Sequence, residues 1–406
     1  MTEPGAPGSG FATAPRIAFL VPHTHWDREW YRTFADFRVS MTRIVREILD
    51  RLERDPAFTH FLLDGQAILA RDHCEIYPED AERIRSLVRE GRLSLGPWYV
   101  LPDEFLVSGE SLVRNLLVGN SVARELGGVQ KVGYMPDSFG HVAQLPQILR
   151  RAGIDSFLYT RGNGDENEQL GFEFVWRAPD GSAVLAINQC SGYCNAGGLG
   201  HHEIWHAHTP RELDFERAVD QVRQLFGRMR TLGRTDVVLL SNGCDHFPPQ
   251  RDTRRLLEAL RGAFPDTEFR VSNLAAFVEA VRDAAAGDVR LDAWEGELRY
   301  GRLHHILTGV WSTRMPLKQA NDRTTRWIND VAEPLAAYAR FAHGLADRTP
   351  LLGAAWRRLL ENHPHDSICG CSIDEVHEQM GPRFDEALET AEGVVREVLV
   401  DLAPTF

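Results

Sequence analysis

The sequence predicts an α/β unit of parallel strands and crossover helices, followed by a helical bundle. Three observations carry this expectation. Short apolar runs alternate with longer amphipathic stretches over the first 289 residues, polar motifs follow the strand-like runs, and strand-like runs stop near residue 290. The 406 residues, 43% hydrophobic and 25% charged, leave room for two or more domains with sizeable cores.

In chain order, "RIAFLVP", "THFLLD", "RLSLGPW", "KVGYMP", "DSFLYT" and "DVVLLSN" are rich in branched and aromatic residues and read as strands. Between them "SMTRIVREILDRLERD", "PEDAERIRSLVREG", "SLVRNLLVGNSVAREL" and "QLPQILRRAG" carry helical spacing. "EFVWRAPDGS" and "SAVLAINQ" interrupt the alternation as a hairpin, and "RELDFERAVDQVRQLFGRMRTLG" resumes it. Such alternation predicts a parallel sheet or barrel over residues 15–289. The long helical patterns of residues 290–406 predict a bundle packed on it. Residues 1–14, small and rich in Pro and Gly, read as a disordered tail without the charged start and apolar core of a signal peptide.

The formal net charge of −13, with no Lys/Arg run, argues against nucleic acid and anionic membrane surfaces as partners. No apolar run approaches the ~20 residues of a membrane-spanning helix. The six cysteines, Cys74, Cys190, Cys194, Cys244, Cys369 and Cys371, show no framework spacing, so a cytoplasmic, reducing location is expected.

Four polar clusters lie where elements end, the position at which α/β folds build their sites. In "HTHWDREWY", side-chain alternation places His23, His25 and Asp27 on one face. Imidazole and carboxylate converging there suit zinc or a similar divalent ion. "GYMPDSFGH" puts Asp137 behind a strand, where a helix cap is the plain alternative. "VVLLSNGCDHF" brings Asp245 and His246 out of an apolar strand, and "ENHPHDSICGCS" carries His365 and Asp366 in the second unit. Each cluster alone could be a capped turn, but all four contain both His and Asp. His202, Glu203 and His206 form a formal HExxH pattern. It lies between a Gly-rich run and "HTP", without the helix that such a peptidase motif needs.

Taken together, "PHTHWDREWY", "GPWYVLPDE", "GYMPDSFGH", "NGCDH" and "NHPHDSICGCSIDEVH" resemble the glycoside hydrolase family 38 α-mannosidases, in order and spacing, from about residue 16 to the C-terminus. The wording is closest to the bacterial branch that includes mannosylglycerate hydrolases. The resemblance implies a (β/α)7-type barrel, a helical bundle that contributes a metal ligand, and then β-sandwich domains, before which this sequence ends. It implies one divalent ion, zinc, held by His25, Asp27, Asp137 and His365. Asp137 would also be the nucleophile and Asp245 the acid/base of a retaining reaction on terminal α-mannosides. Trp30 matches an aromatic lining the sugar site, Asp366 a residue that hydrogen-bonds the sugar, and Arg161 a neighbour of the nucleophile. Cys244 stands where some relatives carry a second Asp. Rival readings are a metal-dependent carbohydrate deacetylase or hydrolase without a covalent intermediate, and a non-catalytic sugar-binding module. A homo-oligomer is a further expectation, from surface that sandwich domains would otherwise cover.

Overall fold

In a computed structural model, residues 14–209, 211–287 and 289–405 are described. The expected tail at 1–14 lies outside them, except for Ala14.

Among the described residues, ten strands form two sheets. They are β1 (Ile17–Thr24), β2 (Phe61–Leu63), β3 (Leu93–Ser94), β4 (Gly133–Met135), β5 (Ser156–Tyr159), β6 (Glu173–Arg177), β7 (Ala183–Asn188), β8 (Val237–Asn242), β9 (Glu268–Val271) and β10 (Ala293–Glu295). The first sheet runs β3-β2-β1-β8, with β9 also on β1; the second runs β10-β6-β7-β5-β4. Every pairing is parallel except the β6–β7 hairpin, as expected. The strands β9 and β10 escaped the sequence reading because "EFRV" and "AWE" are short and largely exposed. The boundary expected at 289 falls just before β10, which adds to the second sheet through β6.

The sheets face each other across one core. The odd residues of β1, Ile17, Phe19 and Val21, pack with Tyr134, Leu158 and Ile187 of the opposite sheet. The even residues Ala18 and Leu20 turn outward onto Val222, Leu225 and Phe226 of the helix Phe215–Leu232. This arrangement is consistent with a barrel, although the backbone ladder is not continuous. Across the gap between β7 and β8, Gln189 Nε2 donates to Ser241 Oγ at 3.0 Å and Asn195 Nδ2 to Leu239 O at 3.2 Å. Parity along β1 then carries His23 and His25 onto the inner face.

Helices cover the outside. In Phe34–Arg54, the residues Phe37, Met41, Ile44, Val45, Ile48, Leu49 and Leu52 are buried at spacings of three and four. From Met315 the chain is helical to His343, with a π-turn over Trp327–Ala332. Thr349–Leu360 and the long Asp374–Leu402 complete the bundle around Trp356, Leu359, Met380, Phe384, Ala387 and Val394.

Specific polar contacts join the two units. His365 N donates to Leu101 O at 2.9 Å and Ile373 N to Trp30 O at 3.1 Å. Buried Glu29 accepts from Ser367 Oγ at 2.7 Å and from Arg383 Nη2 at 2.6 Å. One cysteine expectation is corrected. Cys194 and Cys244 form a disulfide, because the loops after β7 and β8 meet in space although 50 residues separate them in sequence. Spacing alone cannot reveal such a pair. Cys74, Cys190, Cys369 and Cys371 are thiols.

Candidate active site

The site is built where β1 ends. An isolated bridge pairs His25 with Asp245 and prolongs the β1–β8 ladder beyond the strands, so that both residues emerge side by side. His25 Nδ1 donates to Asp64 Oδ2 at 3.1 Å, which leaves the lone pair on Nε2. His365 Nδ1 donates to Leu101 O at 3.1 Å, with the same result. Both Nε2 atoms are buried and lack an aligned hydrogen bond. Nevertheless Asp27 Oδ1 lies 3.1 Å from one and 3.3 Å from the other, and Asp137 Oδ2 lies 3.4 Å from His365 Nε2. Two imidazole lone pairs and two carboxylates, close but not aligned for hydrogen bonding, form a donor set that suits a divalent cation. His25, Asp27 and His365 offer ligand atoms within 4.8 Å of one another.

Electrostatics agree. Burial raises the Asp27 carboxyl, but His25 and His365 pull it well below the usual range. Burial lowers His25, yet Asp27 and Asp64 draw it well above its ordinary value. His365 is likewise drawn up, against burial, by Asp366, Asp137 and Asp27. The carboxylates thus call for positive charge at this point, which either imidazolium protons or a metal ion can supply.

Asp137 stands behind β4 in a loop that the "PDE" motif braces. Ser138 Oγ donates to Pro102 O at 2.9 Å, Val142 N to Glu104 Oε2 at 2.9 Å, and His141 Nδ1 lies 2.6 Å from Glu104 Oε1. The turn needs Gly140: its φ is +103°, and a Cβ there would sit 2.8 Å from Leu298 O. Arg161 Nε and Nη2 reach Asp137 Oδ1 at 2.7 and 2.5 Å. Burial raises the Asp137 carboxyl, but Arg161 and then His365 bring it down to about 2.

Asp245 contrasts with it. Burial pushes its carboxyl up to about 6, with Asp27 and Asp137 adding repulsion and His25 opposing. Tyr193 Oη donates to Asp245 Oδ1 at 2.9 Å. Two buried carboxyls whose environments push their titration in opposite directions therefore flank one cation-ready cluster.

The structure brings His25, Asp27, Asp137, His365, Arg161, Asp245 and Asp366 together. Asp366 is buried beside Cys371, whose Sγ lies 3.1 Å from Asp366 Oδ1. Trp30 is half-buried against the apolar cluster under the helix Phe34–Arg54, edge-on to Tyr31 at 4.9 Å. His23 shares the inner face but does not join the cluster. It lies a step further in, with Nε2 2.8 Å from Tyr193 O. His246 Nε2 accepts from Asp27 N at 3.2 Å, and its Nδ1 meets Tyr31 Oη at 3.2 Å. Only the last three residues of the HExxH pattern fall on a short 3₁₀ turn, Ile204–His208, preceded by extended Glu203, and His206 contacts Arg211. His202 and His206 therefore share no helical face.

Sequence reasoning missed Asp64, Glu29 and Tyr193. Asp64 closes "THFLLD", and an acid at the end of an apolar strand was the available signal. Glu29, inside "HWDREWY", was legible only as part of the motif. Tyr193 lies in a loop with no pattern.

Residues 16–297 match the glycosyl hydrolases family 38 N-terminal domain, and residues 305–402 match the alpha mannosidase middle domain. A protein of Halalkalibacterium halodurans, provisionally named a mannosylglycerate hydrolase, is 35% identical over 384 residues, which are 91% of this chain and 41% of that protein. Human α-mannosidase 2C1 is 27% identical over 376 residues, 90% of this chain and 33% of that protein. The crystal structure of an α-mannosidase from Enterococcus faecalis V583 superposes with a TM-score of 0.87 at 34% identity, over 96% of this chain and 43% of that one. The chain thus spans less than half the length of these relatives.

Proposed function

The chain belongs to glycosyl hydrolase family 38, and we propose that it carries the catalytic machinery of a metal-dependent, retaining α-mannosidase acting on terminal α-mannosides. The observation that carries the reading is a pair of buried carboxyls in opposite environments: Arg161 at 2.7 Å holds Asp137 down, to about 2, while burial pushes Asp245, beside Tyr193, up to about 6. Retaining hydrolysis needs one ionised carboxylate to attack and one protonated carboxyl to release the leaving group.

His25, Asp27, Asp137 and His365 would hold one divalent ion, zinc by the character of its donors. When bound, the ion supplies positive charge against adjacent sugar hydroxyls. Arg161 keeps Asp137 ionised and aimed, so that a carboxylate oxygen can bond to the anomeric carbon as the glycosidic bond breaks. Asp245 gives its proton to the departing oxygen and then takes one from the water that releases mannose from Asp137. Trp30 offers the ring face for the sugar, and Asp366 accepts a sugar hydroxyl. The aglycone is a glycerate-like group, a second mannose or a longer glycan. Nucleic acid and membrane have no place in this reading, in line with the charge of −13 and with the finding that no described helix is long and apolar enough to cross a membrane. We place the protein in the cytoplasm, where the Cys194–Cys244 bond is open to reduction by the thiol pool, on the strength of its four thiols.

The test is hydrolysis of an aryl α-mannoside by zinc-loaded protein, with Asp137→Ala and the aryl α-glucoside as controls. Turnover confined to the mannoside and lost in Asp137→Ala is expected, as is labelling of Asp137 by a 2-deoxy-2-fluoro mannosyl donor. Turnover without that label would replace the nucleophile with direct attack by water.

A further inference from the structure

Building on the retaining reading above, we propose that the Cys194–Cys244 disulfide is a positioning crosslink that holds Tyr193 against Asp245, so that thiol reduction of this bond weakens the acid/base step.

Cys194 directly follows Tyr193, and Cys244 directly precedes Asp245. The Tyr193 hydroxyl donates to Asp245 Oδ1 at 2.9 Å. Disulfide and hydrogen bond therefore close one small ring, Tyr193–Cys194–Cys244–Asp245, in which the covalent bond fixes the reach of the polar one. The loop carrying Tyr193 lies between β7 and the turn at Ile204 and has no strand or helix of its own. Its base is already tied to β8: Asn195 Nδ2 donates to Leu239 O, Ser241 N donates to Asn195 Oδ1, and Ala196 N donates to Ser241 O. On the other side, His23 Nε2 reaches Tyr193 O at 2.8 Å. Those contacts hold the backbone. What they leave to the disulfide is the fit between the Tyr193 ring and the Asp245 carboxyl. Asp137 and His365 lie on other elements, but His25 touches the ring, its N donating to Cys244 O at 3.1 Å and its imidazole standing edge-on to Tyr193 at 5.0 Å, so zinc content is measured beside activity in each state.

The bond can be reached. Cys194 is half-buried, whereas Cys244 is 4% exposed. A small dithiol attacks Cys194 Sγ as its thiolate, and Cys244 departs as a thiolate that takes up a proton. The second thiol of the reductant then displaces Cys194. The dithiol is oxidised to a cyclic disulfide, and two electrons and two protons arrive as two cysteine thiols.

A loosened acid/base has a particular kinetic signature, because it matters only where the leaving group needs a proton. The full zinc-loaded chain is compared oxidised and after dithiol treatment at pH 5, where Asp245 is protonated with or without the Tyr193 hydrogen bond, with the reductant removed anaerobically so that it cannot strip zinc. The substrates are methyl α-mannoside and 2,4-dinitrophenyl α-mannoside. On reduction, kcat/KM for the methyl glycoside is expected to fall about ten-fold or more, part of the 10²–10⁴ that a general acid contributes, because Asp245 itself remains. For the dinitrophenyl glycoside the change is expected to stay under about two-fold, and reoxidation restores the difference. Cys194→Ser/Cys244→Ser should behave as the reduced protein and ignore the dithiol. An equal loss on both substrates would reduce the bond to a structural staple and overturn the proposal. So would no loss, or alkylation showing that both thiols are free in the isolated chain. If the oxidised chain cleaves the dinitrophenyl mannoside, the functional reading stands whatever reduction does. If it cleaves neither substrate, both fall.

Discussion

Asp64 is the residue whose replacement speaks most directly to the cation site. It is fully buried, and one oxygen, Oδ2, accepts from His25 Nδ1 at 3.1 Å, Trp26 N at 3.1 Å and Gln66 Nε2 at 2.9 Å. The other, Oδ1, accepts from Gly65 N at 2.8 Å. In Asp64→Asn the backbone is undisturbed, since Asn tolerates the φ of +55°. An amide has only one acceptor oxygen. If it takes the Oδ2 position, its NH₂ faces Gly65 N; if it flips, three donors including His25 lose their acceptor. Either way the carboxylate charge that fixes the His25 tautomer is gone. Partners of this kind are worth about 10–100-fold in metal affinity, or about 1.4–2.8 kcal/mol. Competition with a chromophoric chelator at pH 7, wild type against Asp64→Asn, reads this directly, and a thermal melt of the two apo proteins separates it from unfolding. Zinc affinity within about two-fold of wild type, with the fold intact, would refute His25 as a ligand oriented through Asp64.

Because Asp245 must be protonated to act as the acid, kcat/KM should fall as pH rises through about 6. Tyr193 donates to the ionised form, so Tyr193→Phe should move this limb upward. A hydrogen bond to a charged group, ~1.5–3 kcal/mol, corresponds to about one to two pH units in a kcat/KM profile. Glu29→Ala removes the buried carboxylate that Arg383 and Ser367 share across the two units, and should cost about 3–5 kcal/mol in denaturant unfolding. Gly119→Ala places a Cβ 2.2 Å from the backbone of Trp98. It should destabilise by at least the ~1–3 kcal/mol typical of overpacking, seen as a lowered melting temperature.

Much of this was legible in the sequence because strand ends announce themselves. Six apolar runs and the hairpin fell where β1 to β8 lie, and parity along β1 placed His25 correctly on the inner face. The same parity put His23 on that face, where it lies one step deeper and stays outside the cluster. What stayed hidden depends on distance rather than pattern. Cys194 and Cys244 pair across 50 residues, and Glu29 meets Ser367 from the opposite end of the chain. Tyr193 sits in a loop whose conformation is set by β8 and not by its own residues. No local periodicity encodes such meetings.

The division of the cation site between two units has a consequence for how the protein is made. Asp27 emerges from the ribosome early, whereas His365, anchored on Leu101 through its own backbone and ring, emerges 338 residues later. A nascent chain, folding from its N-terminus, holds three of the four proposed donors until residue 365 is made and cannot complete the coordination before then. Full-strength metal capture is thereby deferred until the helical unit docks, and a half-made chain is spared from being locked around an ion in the wrong arrangement. Once docking occurs, the ion and the Glu29 clamp pull on the same seam, so metal uptake should mark the moment at which translation of these two units is finished.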